Sequence, residues 1–130
     1  MTTPKDRILS ALGLCRRAGR IVMGVEQVCE ALRRADRVPV YLVAEASDTS
    51  GATHKKIISK CAFYQVPHVR LGTGGGELAK ALGKQNVTGA ACITDPSLCE
   101  AVRNACRAAG IEPAVPERPE NSPIGDCMGA

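Results

Sequence analysis

With 130 residues, 45% hydrophobic and 23% charged, the chain has the size and composition of one soluble globular domain. Only 2% of residues are aromatic (Phe63, Tyr41 and Tyr64, with no Trp), which argues against modules that stack single-stranded bases on aromatic platforms. The net charge of +4 hides an asymmetry: residues 1–110 carry 16 Lys and Arg against nine Asp and Glu, a body suited to polyanions.

In chain order, residues 5–17 put Ile8, Leu9, Leu12 and Cys15 on one face and read as an amphipathic helix, ended by Ala18-Gly19. Arg20 to Met23 is a short extended piece. Gly24 opens a second helix through about Ala35, with Val25, Val28, Cys29 and Leu32 at the spacing of one helical face. Val38 to Ala44 is an apolar, β-branched run expected to form a strand buried on both faces. After a polar loop, Ser47 to Ala52, a third helix runs to Tyr64, burying Ile57, Ile58 and Cys61 and showing Lys55, Lys56 and Lys60 to solvent. His68 to Leu71 reads as a strand, and the Gly-rich stretch Gly72 to Gly76 feeds a fourth helix over Glu77 to Leu82, stopped by Gly83. Gly89 to Thr94 is a strand of small residues. Asp95-Pro96, a capping residue before Pro, starts a last helix to about Ala109. From residue 111 the chain turns acidic and Pro-rich and reads as an extended or disordered tail, leaving residues 1–110 as the domain. Alternating helices and strands imply a layered α/β/α sandwich.

Seven cysteines could suggest a disulfide framework, but the number is odd, no CxxC pair occurs and no apolar leader marks the polar N-terminus. They read as reduced thiols, mostly apolar core residues, in a cytoplasmic protein without bound metal. No apolar run approaches the ~20 residues of a membrane span.

Candidate chemistry is sparse. Gly72 to Glu77 lies between strand and helix, where phosphate loops occur, yet it matches neither the dinucleotide fingerprint nor the Walker pattern. His54, Cys61 and His68 form no convergent set by spacing, and no nearby acid offers itself as an orienter, so a core Cys and two surface histidines are expected. No catalytic residue and no cofactor is assigned. The start of the second helix carries more: free N–H groups and a positive dipole end favour phosphate, Gly24 permits close backbone approach, and Glu26 and Gln27 can address base edges.

At this point several strings, in order, resemble the L-seven-Ae superfamily of kink-turn-binding ribosomal proteins, in particular its small bacterial YlxQ-like members. They are Leu12 to Gly19, Gly24 with Ala31-Leu32, Leu42 to Glu45, Lys55 to Tyr64, Val66-Pro67 and Leu78 to Gly83, covering roughly residues 5–107. The resemblance implies a three-layer α/β/α sandwich around a mixed four-stranded sheet. It also implies RNA docking at the Gly-led start of the second helix and at the loop between the fourth helix and the last strand. The expected contact residues are Arg20, Gly24, Glu26, Gln27, Glu30, Lys55, Lys84, Asn86 and Val87. The chain departs from the family pattern at two of them: Glu26 stands where an amide is usual and Glu30 where a lysine is. The expected function is non-catalytic recognition of structured RNA, kink-turn-like or ribosomal, in ribosomes, their assembly or another ribonucleoprotein, with ribosomal or translation-associated proteins as further partners. The alternative is a protein-interaction module on the same fold with RNA binding weak or lost.

Overall fold

The computed structural model describes residues 3–117. In chain order the elements are α1 (Pro4–Arg17), β1 (Ile21–Met23), α2 (Val25–Arg33), β2 (Leu42–Glu45), α3 (Gly51–Tyr64), β3 (His68–Arg70), α4 (Gly75–Ala81), β4 (Ala90–Ile93) and α5 (Pro96–Ala108). The strands form one sheet in the order β1-β4-β2-β3. β4 pairs antiparallel with both β1 and β2, and β2 pairs parallel with β3, which makes the sheet mixed, as expected.

The period-two alternation of the strands divides the core. Leu42 and Ala44 of β2, Val69 of β3 and Ala91 and Ile93 of β4 face a cluster built with Ile8, Leu12 and Cys15 of α1, Leu78 of α4, and Cys99, Val102 and Cys106 of α5. Val43, Ala90 and Cys92 face the opposite cluster, closed by Val28 and Leu32 of α2 and Ile57 and Cys61 of α3. Helices therefore cover both sheet faces, and the layers are those of an α/β/α sandwich.

Side chains set the helix starts. Thr3 and Asp6 form a reciprocal capping box ahead of α1, with Asp6 N–H donating to Thr3 Oγ1 at 3.1 Å. Ser50 caps α3 through the Thr53 N–H at 3.1 Å, and Asp95 caps α5 through the Leu98 N–H at 2.9 Å.

Several expectations need correction. The run from Val38 begins outside the sheet: Val38 is 56% exposed, and the strand spans only Leu42–Glu45, ending on a fully buried carboxylate. α3 starts at Gly51, inside the expected polar loop, because Ser50 supplies its cap. α4 starts at Gly75, two residues early, because Asp48 Oδ1 accepts the Gly75 N–H at 2.9 Å. Lys60 does not face solvent; it is fully buried on α3, and its ammonium has no hydrogen-bond partner among the described residues. Past α5 the chain runs back to β3, where Ala114 bridges His68 through backbone hydrogen bonds of 2.8 and 3.1 Å and Pro113 is buried. The remainder of the tail, 118–130, lies outside the described residues.

The six described cysteines are free and buried. Burial pushes the thiols of Cys61 and Cys92 up to about 12 and those of Cys15 and Cys106 to about 11. Thiolate is the reactive form, so these groups are inert in the folded chain. Titration with a chromogenic disulfide at pH 8 should leave at least six of the seven thiols unreacted over minutes in the native protein. All seven should appear at once in guanidinium; fast reaction of two or more native thiols would contradict the packing described.

Candidate nucleic-acid interface

The start of α2 and the segment entering β4 meet because of strand pairing. β1 lies against β4 in the register Ile21↔Ile93, Val22↔Cys92 and Met23↔Ala91, and the next residue, Gly24, donates its N–H to Ala90 O at 2.8 Å. Gly24 has φ +102° and ψ 143°, a conformation that disfavours any side chain, and it turns the chain directly into α2. No side chain caps that helix start. A Cβ on Gly89 would lie 3.0 Å from Val25 Cγ2 and 3.4 Å from Thr49 Cγ2, so the segment before β4 rests against both the first residue of α2 and the loop before α3.

Beside this junction stand most of the expected contact residues. The Gln27 side chain folds back over the Gly24 Cα. Glu26 is exposed, and its carboxylate accepts from Lys56 Nζ of α3 at 3.2 Å. Lys55 is exposed on α3 next to Lys56. Glu30, on the solvent side of α2, is held by Arg34 Nε at 3.1 Å and Arg33 Nη1 at 3.4 Å. Both carboxylates that depart from the family pattern are therefore locally neutralised by cations within hydrogen-bond reach, though such exposed pairs are weak.

Lys84, Asn86 and Val87 lie exposed between α4 and β4. Lys84 N–H donates to Ala79 O at 2.8 Å, and Thr88 N–H to Gly75 O at 3.1 Å, which ties the segment at both ends to α4. Val87 is 73% exposed, yet one of its methyls lies 2.5 Å from where a Cβ on Gly75 would be. Gly75 thus leaves room for Val87, whose remaining apolar surface points outward. Arg20 stands apart in the backbone: its carbonyl accepts the Thr94 N–H at the opposite end of β1, about 13 Å along the strand from Gly24.

The Gly-rich stretch ahead of α4 is occupied from within. Asp48 takes the first free N–H of that helix and also lies against Gly74, so an external phosphate would have to displace a carboxylate already in place.

A cluster beneath the interface went unread in the sequence. Glu45 at the end of β2 is fully buried, and its Oε1 accepts from His68 Nε2 at 2.8 Å and His54 Nδ1 at 2.9 Å. Its Oε2 accepts from the Thr49 hydroxyl, with Arg70 Nε 4.0 Å away. Burial alone raises a carboxyl's pKa, but the hydrogen bonds from His68, Thr49 and His54 outweigh it and hold Glu45 at about 2, ionised. The expectation of two surface histidines with no acidic orienter is thus corrected: the His68 side chain is 8% exposed and His54 35%, and one acid orients both. The signal was available in the parallel register. Glu45 pairs with Arg70 and Val43 with His68, so alternation aims Glu45, His68 and Arg70 at the α3 face, where His54 waits in the second turn.

Comparison with known proteins places this arrangement. Residues 6–102 match the model of the Ribosomal protein L7Ae/L30e/S12e/Gadd45 family. The RNA-binding protein YlxQ of Bacillus subtilis (strain 168) is 35% identical over 74 residues, 57% of this chain and 70% of its own. YlxQ of Enterococcus faecium is 29% identical over 80 residues, 62% of this chain and 74% of its own. Among solved structures, a Bacillus halodurans C protein of unknown function superposes with a TM-score of 0.68 at 31% identity, covering 78% of this chain and 97% of that one. The Giardia lamblia 15.5kD RNA binding protein shares the fold, with a TM-score of 0.60 at 21% identity over 80% of this chain and 86% of its own. With three quarters of its length inside the family model, the chain belongs to the Ribosomal protein L7Ae/L30e/S12e/Gadd45 family.

Proposed function

We propose that this protein is a non-catalytic RNA-binding protein that docks structured RNA, of kink-turn-like or ribosomal type, where the start of α2 meets the 84–89 segment. One observation carries the reading: the Gly24 N–H to Ala90 O bond, with Val25 against Gly89, joins the two segments into one surface. That surface combines an uncapped helix N-terminus, exposed Gln27, Lys55 and Lys84, and an outward-facing Val87. The first suits phosphate, the lysines add long-range attraction, and an exposed apolar side chain suits the face of a splayed base. The names of the YlxQ relatives support the same reading, and the cytoplasm, in ribosomes or their assembly, is the compartment that goes with it.

The second reading, a protein-interaction module, rests on an adjoining groove. Val22, Ala31 and the half-exposed Val38 give it an apolar floor beside β1, the strand at one edge of the sheet, and it shares Gln27 and Glu30 with the RNA surface. An edge strand beside apolar side chains suits an added strand from another chain. Failure of every structured RNA to bind at low salt would favour this reading over the first.

Under the RNA reading, binding to a labelled kink-turn RNA should weaken steeply with salt, log affinity against log salt sloping by several units as phosphate contacts release counterions. A flat plot would contradict it. The Gly75→Ala substitution forces Val87 and the Thr88 carbonyl to move, since the new methyl would lie 2.5 and 3.0 Å from them. It should weaken RNA binding by roughly tenfold or more, the scale of one lost base contact. Gly76→Ala, where nothing lies within 4 Å, should bind as wild type. Equal affinities of all three proteins would remove the 84–89 segment from the site.

Glu30 gives an electrostatic test. Replacing it by Lys removes a carboxylate from this turn and adds a cation on the outer face of α2. Glu30→Lys should tighten kink-turn binding by roughly tenfold at fixed salt, and Glu30→Gln by part of that, on the order of 1 kcal/mol per charge step near a partly solvated phosphate. Stability should change by less than about 0.5 kcal/mol at this exposed position. Unchanged affinity would mean that this turn of α2 does not face RNA.

A further inference from the structure

Three groups that bind metals converge where the function proposed above makes no use of them. Glu45, His54 and His68 come from β2, α3 and β3, and their ligand atoms all lie within 4.8 Å of one another. We propose that these three side chains form a binding site for a divalent transition-metal ion, of the zinc, cobalt or nickel class. Two imidazole nitrogens with one carboxylate oxygen suit such ions better than calcium or magnesium, which prefer all-oxygen shells. Two His and one Glu are also the ligand set of zinc sites that keep a coordination position open to water.

Electrostatics favours an ion here. Glu45 is a fully buried anion whose nearest guanidinium nitrogen is 4.0 Å away, too far for a direct hydrogen bond. Its histidine partners contribute hydrogen bonds, and a buried charge is better satisfied by a cation bound directly to it. His68 Nε2 lies 2.8 Å from Oε1, His54 Nδ1 lies 2.9 Å from each of the two oxygens, and Thr49 donates to Oε2. An ion would bind at Nε2 of His68 and Nδ1 of His54, the proton of each neutral ring shifting to its other nitrogen.

Tetrahedral bonds of about 2.0–2.1 Å space ligand atoms about 3.3 Å apart, so each imidazole nitrogen, now 2.8 and 2.9 Å from Glu45, needs to move off the carboxylate by roughly 0.4 Å. His54 can supply that movement, since its side chain is 35% exposed on the second turn of α3. The same exposure gives an ion its entry path and a place for water in the open position. The described cysteines do not compete: they are buried, and burial holds most of their thiols in the protonated form.

The test uses the full chain, stripped with a chelator, and needs no RNA. Calorimetric titration with Zn²⁺ should show one ion per chain with micromolar or tighter affinity. Co²⁺ should give weak visible bands without the intense near-ultraviolet band of thiolate ligation. His54→Gln and His68→Gln should each weaken Zn²⁺ binding at least about tenfold, the order seen on losing a group that merely supports a ligand. His54→Gln decides the matter if the more buried His68 variant fails to fold, because His54 lies partly in solvent and its circular dichroism should match wild type. No zinc uptake, uptake equal in wild type and His54→Gln, or a strong thiolate band would each overturn the proposal.

Discussion

β4 is hydrogen-bonded on both sides, to β1 through Ile21–Met23 and to β2 through Leu42–Glu45, and this double pairing governs what the rest of the molecule can present. Its residues Ala90, Ala91 and Cys92 are small and fully buried, which lets both neighbours and both helical layers approach closely. β1 must then end beside Ala90, and Gly24, at φ +102°, makes the turn that lays α2 back over one face of the sheet. The segment entering β4 is brought to the same place by the same strand. The proposed RNA surface is thus a consequence of one antiparallel register, and its two halves cannot separate without breaking the sheet.

The end of β2 that pairs with Ala90 carries a second constraint. A carboxylate ends a strand whose other residues are apolar, and the fold surrounds it with His54, His68, Thr49 and Arg70. Thr49 also touches Gly89, so the buried cluster and the exposed interface share a loop. Removing Glu45's partners leaves an unpaired buried charge, which is far more costly than losing an exposed ion pair. The cluster therefore anchors the loop beside the proposed RNA surface, whether or not an ion occupies it.

Much of the fold was legible because the apolar periodicities are clean. Val25, Val28, Cys29 and Leu32 announced α2, and Asp95-Pro96 announced the start of α5. Boundaries were misread where a side chain distant in sequence decides them: Asp48 extends α4 backward across 27 residues, which no local pattern reveals. Lys60 was misplaced because its position on α3 is compatible with solvent until α2 packs against that face. Arg20, expected at the same surface as Gly24, has its backbone before the start of β1, where its carbonyl accepts the Thr94 N–H. Glu45 was invisible as a site because its partners lie 9 and 23 residues away and meet it only through the parallel pairing of β2 with β3.

In the proposed function, Gly24 to Glu30 and Lys84 to Gly89 bind RNA as one surface. Backbone amide spectra of ¹⁵N-labelled protein, recorded during titration with a kink-turn RNA, read that surface residue by residue. Shifts should concentrate at residues 24–30 and 84–90, with Lys55 and Lys56 following, while amides of α5 and the α1–α4 side stay in place. Shifts confined to the Val22, Ala31 and Val38 strip, or to the exposed arginines at the end of α1, would contradict it.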